Sequence, residues 1–489
     1  MAGTGESTRA RGTLGGLWRR QLTGYPDTPT RAMYLTIVVL AAIVVFYEFY
    51  VAASVSPAII AGDNMTFPFY AYVMAAASAA GALGSLAAGV ADRWGRANLI
   101  AYGLLANGVL TLFGVPNTTD KWEFAVVFAI IAYIGGVILV ATPALVRDFA
   151  QRLGRASAMG LWALGPVVGS LVVAVVSSLT LGRLHPWRDQ FVICGVAGLV
   201  VGLIAVGFLR ELSPRLREQV KASLGERVLA EARARGIDVA DQPGRPWRQV
   251  LRPDVIGAAF GGAVFLLVYY TAVVFLTVYF TAVRGLSLPS ANSLGDWFWA
   301  FCAGALILAG IASDVVRVRK PFMVAGAAGG IAMTIVLGNL GAGTPYRTFA
   351  VVVSALAVCL AIAFVAWMAS FTETVERHNP ALTGTGLAVW SWLVWVVVAV
   401  SLLVLPSVVT SMTSLVAQGS GGRPAPAAAV AAASRQWRDW LWACAAGQAV
   451  FLPFVFVLAG RWSPRKARED ATEYERLVQR ELEALRAES

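Results

Sequence analysis

Twelve times along this chain the sequence runs apolar for about 18 residues or more, and that recurrence restricts the fold more than any motif. The runs fall at 33–60, 68–91, 98–115, 123–149, 157–181, 190–209, 255–283, 292–314, 321–340, 348–375, 383–411 and 439–460. As helices rising about 1.5 Å per residue, they can cross a hydrocarbon core about 30 Å thick. No water reaches the backbone at that depth, so each segment must satisfy its own peptide groups. With 58% of 489 residues hydrophobic and 14% charged, a string of soluble domains is excluded. The expected fold class is therefore an all-α membrane protein of twelve transmembrane helices. The first run is too long for a cleaved signal.

Charge sets the expected orientation. Lys121, Arg183, Arg188, Arg284, Arg347, Arg423, Arg435 and Arg438 fall on one side, and the other 31 of the 39 Lys and Arg residues fall on the opposite side. By the positive-inside rule both termini are cytoplasmic. The same distribution, with basic residues in the connections, argues against nucleic acid as the partner of a chain of net charge +11. The expected layout is a cytoplasmic tail (1–31), a six-helix bundle (32–210), a cytoplasmic linker (211–252), a second six-helix bundle (253–460) and an amphipathic cytoplasmic tail (461–489). In the first tail Leu14, Leu17, Trp18 and Leu22 form a short apolar stripe suited to headgroups. Ser213-Pro214 starts a linker helix that reads to about Gly236. Residues 412–438, rich in Ala, Gly, Pro and Ser, read as a flexible outer loop. Leu477, Val478, Leu482 and Leu485 share one face of a helix in the last tail.

Two charged hinges sit at matching places in the halves: Gly84–Asn98 (GSLAAGVADRWGRAN) and Gly310–Lys320 (GIASDVVRVRK). A hinge repeated in this way points to a duplicated bundle with the substrate site between the copies. The twelve runs and both hinges resemble the major facilitator superfamily of secondary transporters over nearly the whole chain. The most specific piece is Asp92-Arg93-Trp94-Gly95-Arg96, which is similar to the family's D-R-x-G-R loop between the second and third spans. Ala88 stands where the family usually has glycine; the second copy keeps Gly310 before Asp314 but loses the Gly-Arg pair. The resemblance implies two pseudo-symmetric bundles and places Asp92 by the start of the eleventh helix, where the dipole favours an anion. Gly95 permits the sharp turn. Asp148 with Arg152, and Glu373 with Arg377, follow one Asp/Glu-x-x-x-Arg pattern at the ends of the fourth and tenth spans. We expect two gate clusters, Asp92/Arg93/Arg96/Asp148 and Asp314/Arg317/Arg319/Glu373, that lock the cytoplasmic side and break on rocking. Ordinary interfacial ion pairs, worth under about 1 kcal/mol each, are the plainer account.

Few polar groups lie at mid-membrane. Glu48, in Phe46-Tyr47-Glu48-Phe49-Tyr50, is the one carboxylate clearly at that depth. Burial disfavours its charged form, which suits a proton carrier; a permanently protonated structural glutamate is the alternative. Tyr269 and Tyr270 stand in the seventh span where Tyr47 and Glu48 stand in the first, so the aromatic pair is repeated and the carboxylate is not. Expected cavity residues are Tyr47, Tyr50, Asn107, Tyr269, Tyr270, Asp296, Trp367 and Trp392. Asp296, near an outer helix end, fits snorkelling to the interface as well as substrate contact, and Asn107 and Gln448 fit interhelical hydrogen bonding. Gly165, Pro166 and Gly169 are similar to the G-P-x-x-G-G signature of antiporter branches, with Ser170 at the last glycine.

The absences narrow the chemistry. Cys194, Cys302, Cys359 and Cys444 fall in different spans, and His185 and His378 in loops, so no metal centre or catalytic set is expected. No phosphate-binding loop is present, so no ATP and no cofactor are expected. Without mid-membrane Lys or Arg, clamping a phosphate is disfavoured, and one carboxylate amid aromatics suits a cationic or amphipathic substrate. The reading is a proton-coupled plasma-membrane transporter that exports a small amphipathic compound. It works as a monomer in the bilayer, with protons and that small molecule as its partners. The alternative is proton-coupled uptake of a sugar or organic acid. An enzyme would need a catalytic cluster at one depth, and a sensor an added domain; the sequence has neither.

Overall fold

The computed structural model describes residues 20–63, 65–86, 94–149, 162–182, 187–217, 230, 233–234, 251–341, 343–379, 382–415 and 426–488. Among them, eleven helices are long and apolar enough to cross a membrane, and a shorter apolar helix, Gly165–Thr180, accompanies them. The α-helices, in chain order, are α1 (Thr28–Ser54), α2 (Ser56–Gly62), α3 (Phe67–Ser85), α4 (Arg96–Val109), α5 (Lys121–Phe149), α6 (Gly165–Thr180) and α7 (Arg188–Phe208). After the linker follow α8 (Pro253–Phe265), α9 (Leu267–Val278), α10 (Leu288–Val316), α11 (Lys320–Asn339), α12 (Tyr346–His378), α13 (Thr383–Val408), α14 (Ala427–Val457) and α15 (Pro464–Glu488). The first and seventh spans are each broken, into α1–α2 and α8–α9; π-turns at Leu110–Gly114 and Tyr279–Val283 extend α4 and α9.

Two proline breaks are repaired locally. Pro57 has no N–H for the Ala53 carbonyl, and the Ser56 hydroxyl donates to it at 2.8 Å instead. Inside α5, Pro143 leaves the Leu139 carbonyl without its partner, and the Thr142 hydroxyl takes it at 3.3 Å. In lipid an unmet carbonyl is costly, so a hydroxyl one residue before proline keeps these spans viable.

Two differences from the sequence reading have simple causes. The last span begins at Ala427 rather than 439, so 427–438 is helix and not loop. Its Ala-rich run has the highest intrinsic helix propensity, and Pro426 sits at the cap. His378 is the final residue of α12 rather than a loop residue. The N-terminal stripe at Leu14–Trp18, His185, most of the expected linker helix and 416–425 lie outside the described residues.

The chain packs as two compact units: Met1–Ala52 with Ala80–Gly169 and His185–Lys221, and Ala53–Ala79 with Ser170–Leu184 and Ala222–Ser489. In the first, the apolar core joins α1, α4, α5 and α7 through Val38, Ala41, Ile100, Leu104, Ala141, Leu145 and Ala205. A parallel pair of two-residue strands, β1 (Gln21–Leu22) and β2 (Glu211–Leu212), closes its end. That end is the linker face below, and the opposite end of the spans the far face. In the second unit α11 packs on α12 and α14, and α8 on α14. Gly326 brings α11 to within contact of the α12 backbone at Cys359 and Ala363. In α15 the Val478 side chain is buried.

Close approach is written in glycine. A Cβ on Gly136 of α5 would collide with the Gly81 carbonyl of α3, and one on Gly84 with the Tyr133 carbonyl. Gly136→Val is therefore expected to cost about 2 kcal/mol of stability through overpacking. Gly207→Ala, with open space around it, is expected to cost nothing. Thermal unfolding of both variants in one detergent checks the contrast.

Candidate functional site

Glu48 lies in α1 and is fully buried. Its side chain points between α4 and α7. Asn107 of α4 donates from Nδ2 to Glu48 Oε2 at 3.1 Å. On α7, Gly198 makes room for the other oxygen: a Cβ there would overlap Glu48 Oε1. Gly108 lies against Gly198, so α4 and α7 meet at the same level. Glu48 Oε1, Tyr47 Oη, Asn107 Oδ1 and Thr111 Oγ1 are enclosed without a hydrogen-bond partner among the described residues. Among the described residues the carboxyl group thus has one amide donor and no cation beside it.

The other expected cavity residues fall in several places. Tyr47 joins the Glu48 neighbourhood and is buried. Tyr50 sits between Phe46 and Phe49, with ring centroids 5.6 Å away in each case, and Phe49 stacks on Phe128 of α5 at 5.8 Å. In the second unit Tyr269 lies edge-on to Tyr270 and to Trp299, both at 5.2 Å. Trp367 of α12 is buried in a ring cluster with Phe364, Phe371 and Trp390, against Gly262 of α8. Trp392 is 63% exposed and belongs to the helix surface. Asp296 accepts from the Ser178 hydroxyl at 2.8 Å. Gln448 donates to Thr334 Oγ1 at 3.0 Å, a hydrogen bond between α14 and α11. A void of about 30 Å³ lined by Thr271, Phe275, Tyr279, Phe298 and Trp437 lies in the second unit. It is too small for a ligand, whose pockets run to about 300 Å³ or more.

On α6, Gly165 and Gly169 seat the helix against α1. A Cβ on Gly165 would lie 3.3 Å from Ala42 Cβ, and one on Gly169 2.7 Å from Phe46 Cβ. Pro166 occupies the first turn, where its missing N–H costs nothing.

The linker face of the first unit carries a dense charge network. Arg96 Nη1 pairs with Asp148 Oδ2 at 2.9 Å, and Arg217 Nε lies 3.5 Å from the same oxygen. Arg217 also reaches Glu211 Oε2 at 3.5 Å. That oxygen accepts the Arg96 backbone N–H at 2.8 Å, so Glu211 caps α4 at its positive end. Gly95, at φ 89°, leads into the helix, and a Cβ there would lie 2.6 Å from Glu211 Oε1. Both the left-handed backbone and the close carboxylate require glycine. Strand pairing fixes Glu211: its N–H donates to the Arg20 carbonyl at 3.0 Å. Arg20 itself is buried, donates to the Ala205 carbonyl at 2.9 Å and lies over the Tyr102 ring at 5.3 Å; burial lowers its guanidinium pKa from the ordinary value. Asp92, Arg93 and Arg152 lie outside the described residues.

In the second unit Arg319 Nη1 pairs with Asp314 Oδ1 at 2.7 Å, and Arg319 Nε lies 3.5 Å from Glu373 Oε1. Arg317 caps α10 in the left-handed region at φ 59° and is exposed, as is Arg377. The sequence reading missed Glu211, Arg217 and the 2.6 Å contact between His378 Nε2 and Asp254 Oδ2. A usable signal existed for the first two, since both lie within one helical turn or two of a span's end. Long-range pairing, however, leaves no periodic trace.

The sequence profile of the Major Facilitator Superfamily matches residues 38–399. Among solved structures, the chain is similar to a bacterial homolog of the human lysosomal transporter Spinster in an inward-facing, unoccupied conformation. That likeness has 17% identity, covers 88% of this chain and 97% of that one, and has a TM-score of 0.67. It is similar also to a D-xylose–proton symporter (15% identity, 83% and 96% covered, TM-score 0.62). A third is the xylose transporter XylE from E. coli in a partially occluded inward-open conformation (12% identity, 88% and 98% covered, TM-score 0.61). No curated protein matches by sequence. At these identities the structural likeness concerns the fold.

Removing the Glu211 carboxylate leaves the Arg96 N–H and Arg217 short of an acceptor. Glu211→Ala is expected to destabilise the protein by about 2 kcal/mol, in the range for hydrogen bonds to charged groups. Glu211→Gln, which keeps an acceptor oxygen, is expected to lose less than half of that. Chemical denaturation monitored by tryptophan fluorescence checks the order.

Proposed function

This chain belongs to the major facilitator superfamily, and we propose that within it the protein is a proton-coupled exporter of a small amphipathic or cationic compound. It is a multi-pass membrane transporter, and the fold supports transport by alternating access; members of the family are transporters and not enzymes. On the lysine and arginine distribution the linker face and both termini are cytoplasmic, in a plasma membrane. The six-helix halves, 32–210 and 253–460, are the two rocking bodies, and one copy of the chain is sufficient.

The observation that carries proton coupling is Glu48: a fully buried carboxyl group with one amide donor and an enclosed second oxygen that has no hydrogen-bond partner among the described residues. A charged carboxylate in such a place is costly, whereas binding a proton removes the charge without any counter-ion. Each gain or loss of that proton changes what the α1–α4–α7 contact must accommodate. Export is supported by the Gly165-Pro166-Gly169 segment seated on α1, the helix that carries Glu48. The aromatic side chains around Tyr269, Trp299, Trp367 and Trp390 suit a partly apolar or cationic substrate.

The linker-face clusters act as the cytoplasmic gate. Arg96, Asp148, Glu211 and Arg217 hold the helix ends of one unit, and Asp314, Arg319 and Glu373 those of the other. Each lies at the end of a span, where rocking changes its surroundings.

In proteoliposomes an imposed proton gradient is expected to drive movement of at least one compound from a panel of amphipathic cations. Glu48→Gln is expected to bring that gradient-driven movement to background while downhill exchange persists; full gradient-driven transport in the variant removes Glu48 from the mechanism. For the gate, Arg96→Asp and Asp148→Arg are each expected to impair transport, and the double variant to recover part of it. A double variant no better than either single one counts against the pairing.

A further inference from the structure

The chain leaves α7 at Phe208 and turns away at once, Leu209 being extended at ψ 132°. What receives the next residues is the N-terminal segment. The Glu211 N–H donates to the Arg20 carbonyl at 3.0 Å and the Ser213 N–H to the Leu22 carbonyl at 3.1 Å, with Gln21 paired to Glu211 and Leu22 to Leu212. Two strands of two residues have no stability of their own, so side chains must hold them. Arg20, buried, holds one end through the Ala205 carbonyl of α7 and the Tyr102 ring of α4. Tyr25 holds the other: its hydroxyl donates to the carbonyl of Phe149, the last residue of α5, at 3.0 Å. Arg31 of α1 lies over the Tyr25 ring at 5.4 Å. Leu22, which the sequence places in a stripe for headgroups, packs instead against the core of the first unit, where Leu212 is buried. Residues 20–25 thus tie α4, α5 and α7 together, all within that unit.

The same strands place two members of the charge network. Glu211 sits in β2 and accepts the Arg96 N–H at 2.8 Å. Arg217 donates its N–H to the Ser213 carbonyl at 3.0 Å and a guanidinium N–H to the Leu212 carbonyl at 3.3 Å, and its Nε lies 3.5 Å from Asp148 Oδ2. Neither residue belongs to a span; both hang from the chain after α7, whose direction the strand pairing sets. We propose that Arg20–Tyr25 is a strap, a set of positioning residues that holds Glu211 and Arg217 in the Arg96–Asp148 network and travels with the first unit throughout transport. Its bonds to the linker run from main chain to main chain. They therefore fix the Glu211 backbone and leave the carboxylate to Arg96 and Arg217. Without them the Glu211 and Ser213 N–H groups turn to water, and the segment from 209 to 217 is free to swing. The strap rests on the network that is read above as the cytoplasmic gate, and not on proton coupling or the direction of transport.

Hydrogen exchange of the Arg96 amide, resolved by mass spectrometry of the full chain in nanodiscs, reads the network without substrate or gradient. Arg20→Ala is expected to raise that rate several-fold, and Arg20→Lys, which keeps a donor for the Ala205 carbonyl, to raise it less. In a chain that already carries Glu211→Ala, adding Arg20→Ala is expected to change the rate by less than twofold, because the contact through which the strap acts is gone. A helix end that had merely loosened would add its own rise. An unchanged rate in Arg20→Ala, or an undiminished effect in the Glu211→Ala background, overturns the strap. The second arm combines Leu22→Cys and Leu212→Cys in a chain with the four native cysteines replaced. Paired strands lie about 4.8 Å apart, within reach of a disulfide. Oxidation by copper phenanthroline is expected to slow Arg96 exchange at least twofold relative to the dithiothreitol-reduced form. Equal rates overturn the proposal even if Arg20→Ala folds poorly. Transport of any substrate found is expected to continue in the cross-linked chain, and its loss overturns a strap that stays on the first unit. The charge swap at Arg96 and Asp148 tests the gate, and exchange tests the strap, so the two readings fail separately.

Discussion

Helices in hydrocarbon gain nothing by hiding apolar surface from water, so what joins them must come from contact itself. Glycine supplies that contact here. Gly81, Gly84 and Gly136 let α3 and α5 touch backbone to backbone, Gly108 and Gly198 do the same for α4 and α7, and Gly326 for α11 and α12. A methyl group on Gly84, Gly136, Gly108 or Gly326 would meet a carbonyl or a main-chain atom, and one on Gly198 the Glu48 carboxylate. The rest of the structure depends on those approaches, because they determine which polar side chains come within reach of one another.

Glu48 shows the dependence. Its carboxyl group fits because Gly198 has no side chain, and it meets Asn107 because α4 and α7 are drawn together at Gly108. A comparable arrangement recurs in the second unit, where Gln448 of α14 reaches Thr334 of α11 beside Gly330. There the pair is neutral. The difference is one of charge rather than geometry, and among the described residues it places the ionisable member of the two pairs in the first unit.

The two faces are held by different chemistry. On the linker face of the first unit, guanidinium and carboxylate groups cross-brace helix ends, and a helix N-terminus and a strand pair add to that network. On the far face of the second unit the fastenings are hydroxyls and amides around a single carboxylate. Charged pairs half-screened by water tolerate re-pairing, and a hydrogen bond between two hydroxyls can be exchanged for one to water at little cost.

Much of the architecture was legible in residue order. Run lengths located the spans to within a few residues, except where an alanine-rich stretch read as a loop and folded as the start of α14. Gly95 was recognisable as a turn, and Glu48 as an anomaly, because depth and backbone freedom are local properties. Partners are not local. Glu48 and Asn107 are 59 residues apart, Asp296 and Ser178 are 118 apart, and Glu211 reaches Arg96 across 115. The sequence by itself determined most of the helical segments and which family the chain resembles. Only the tertiary structure decided which of those residues meet, because that depends on how closely helices pack, and a glycine's effect is felt on a neighbour that no periodicity names.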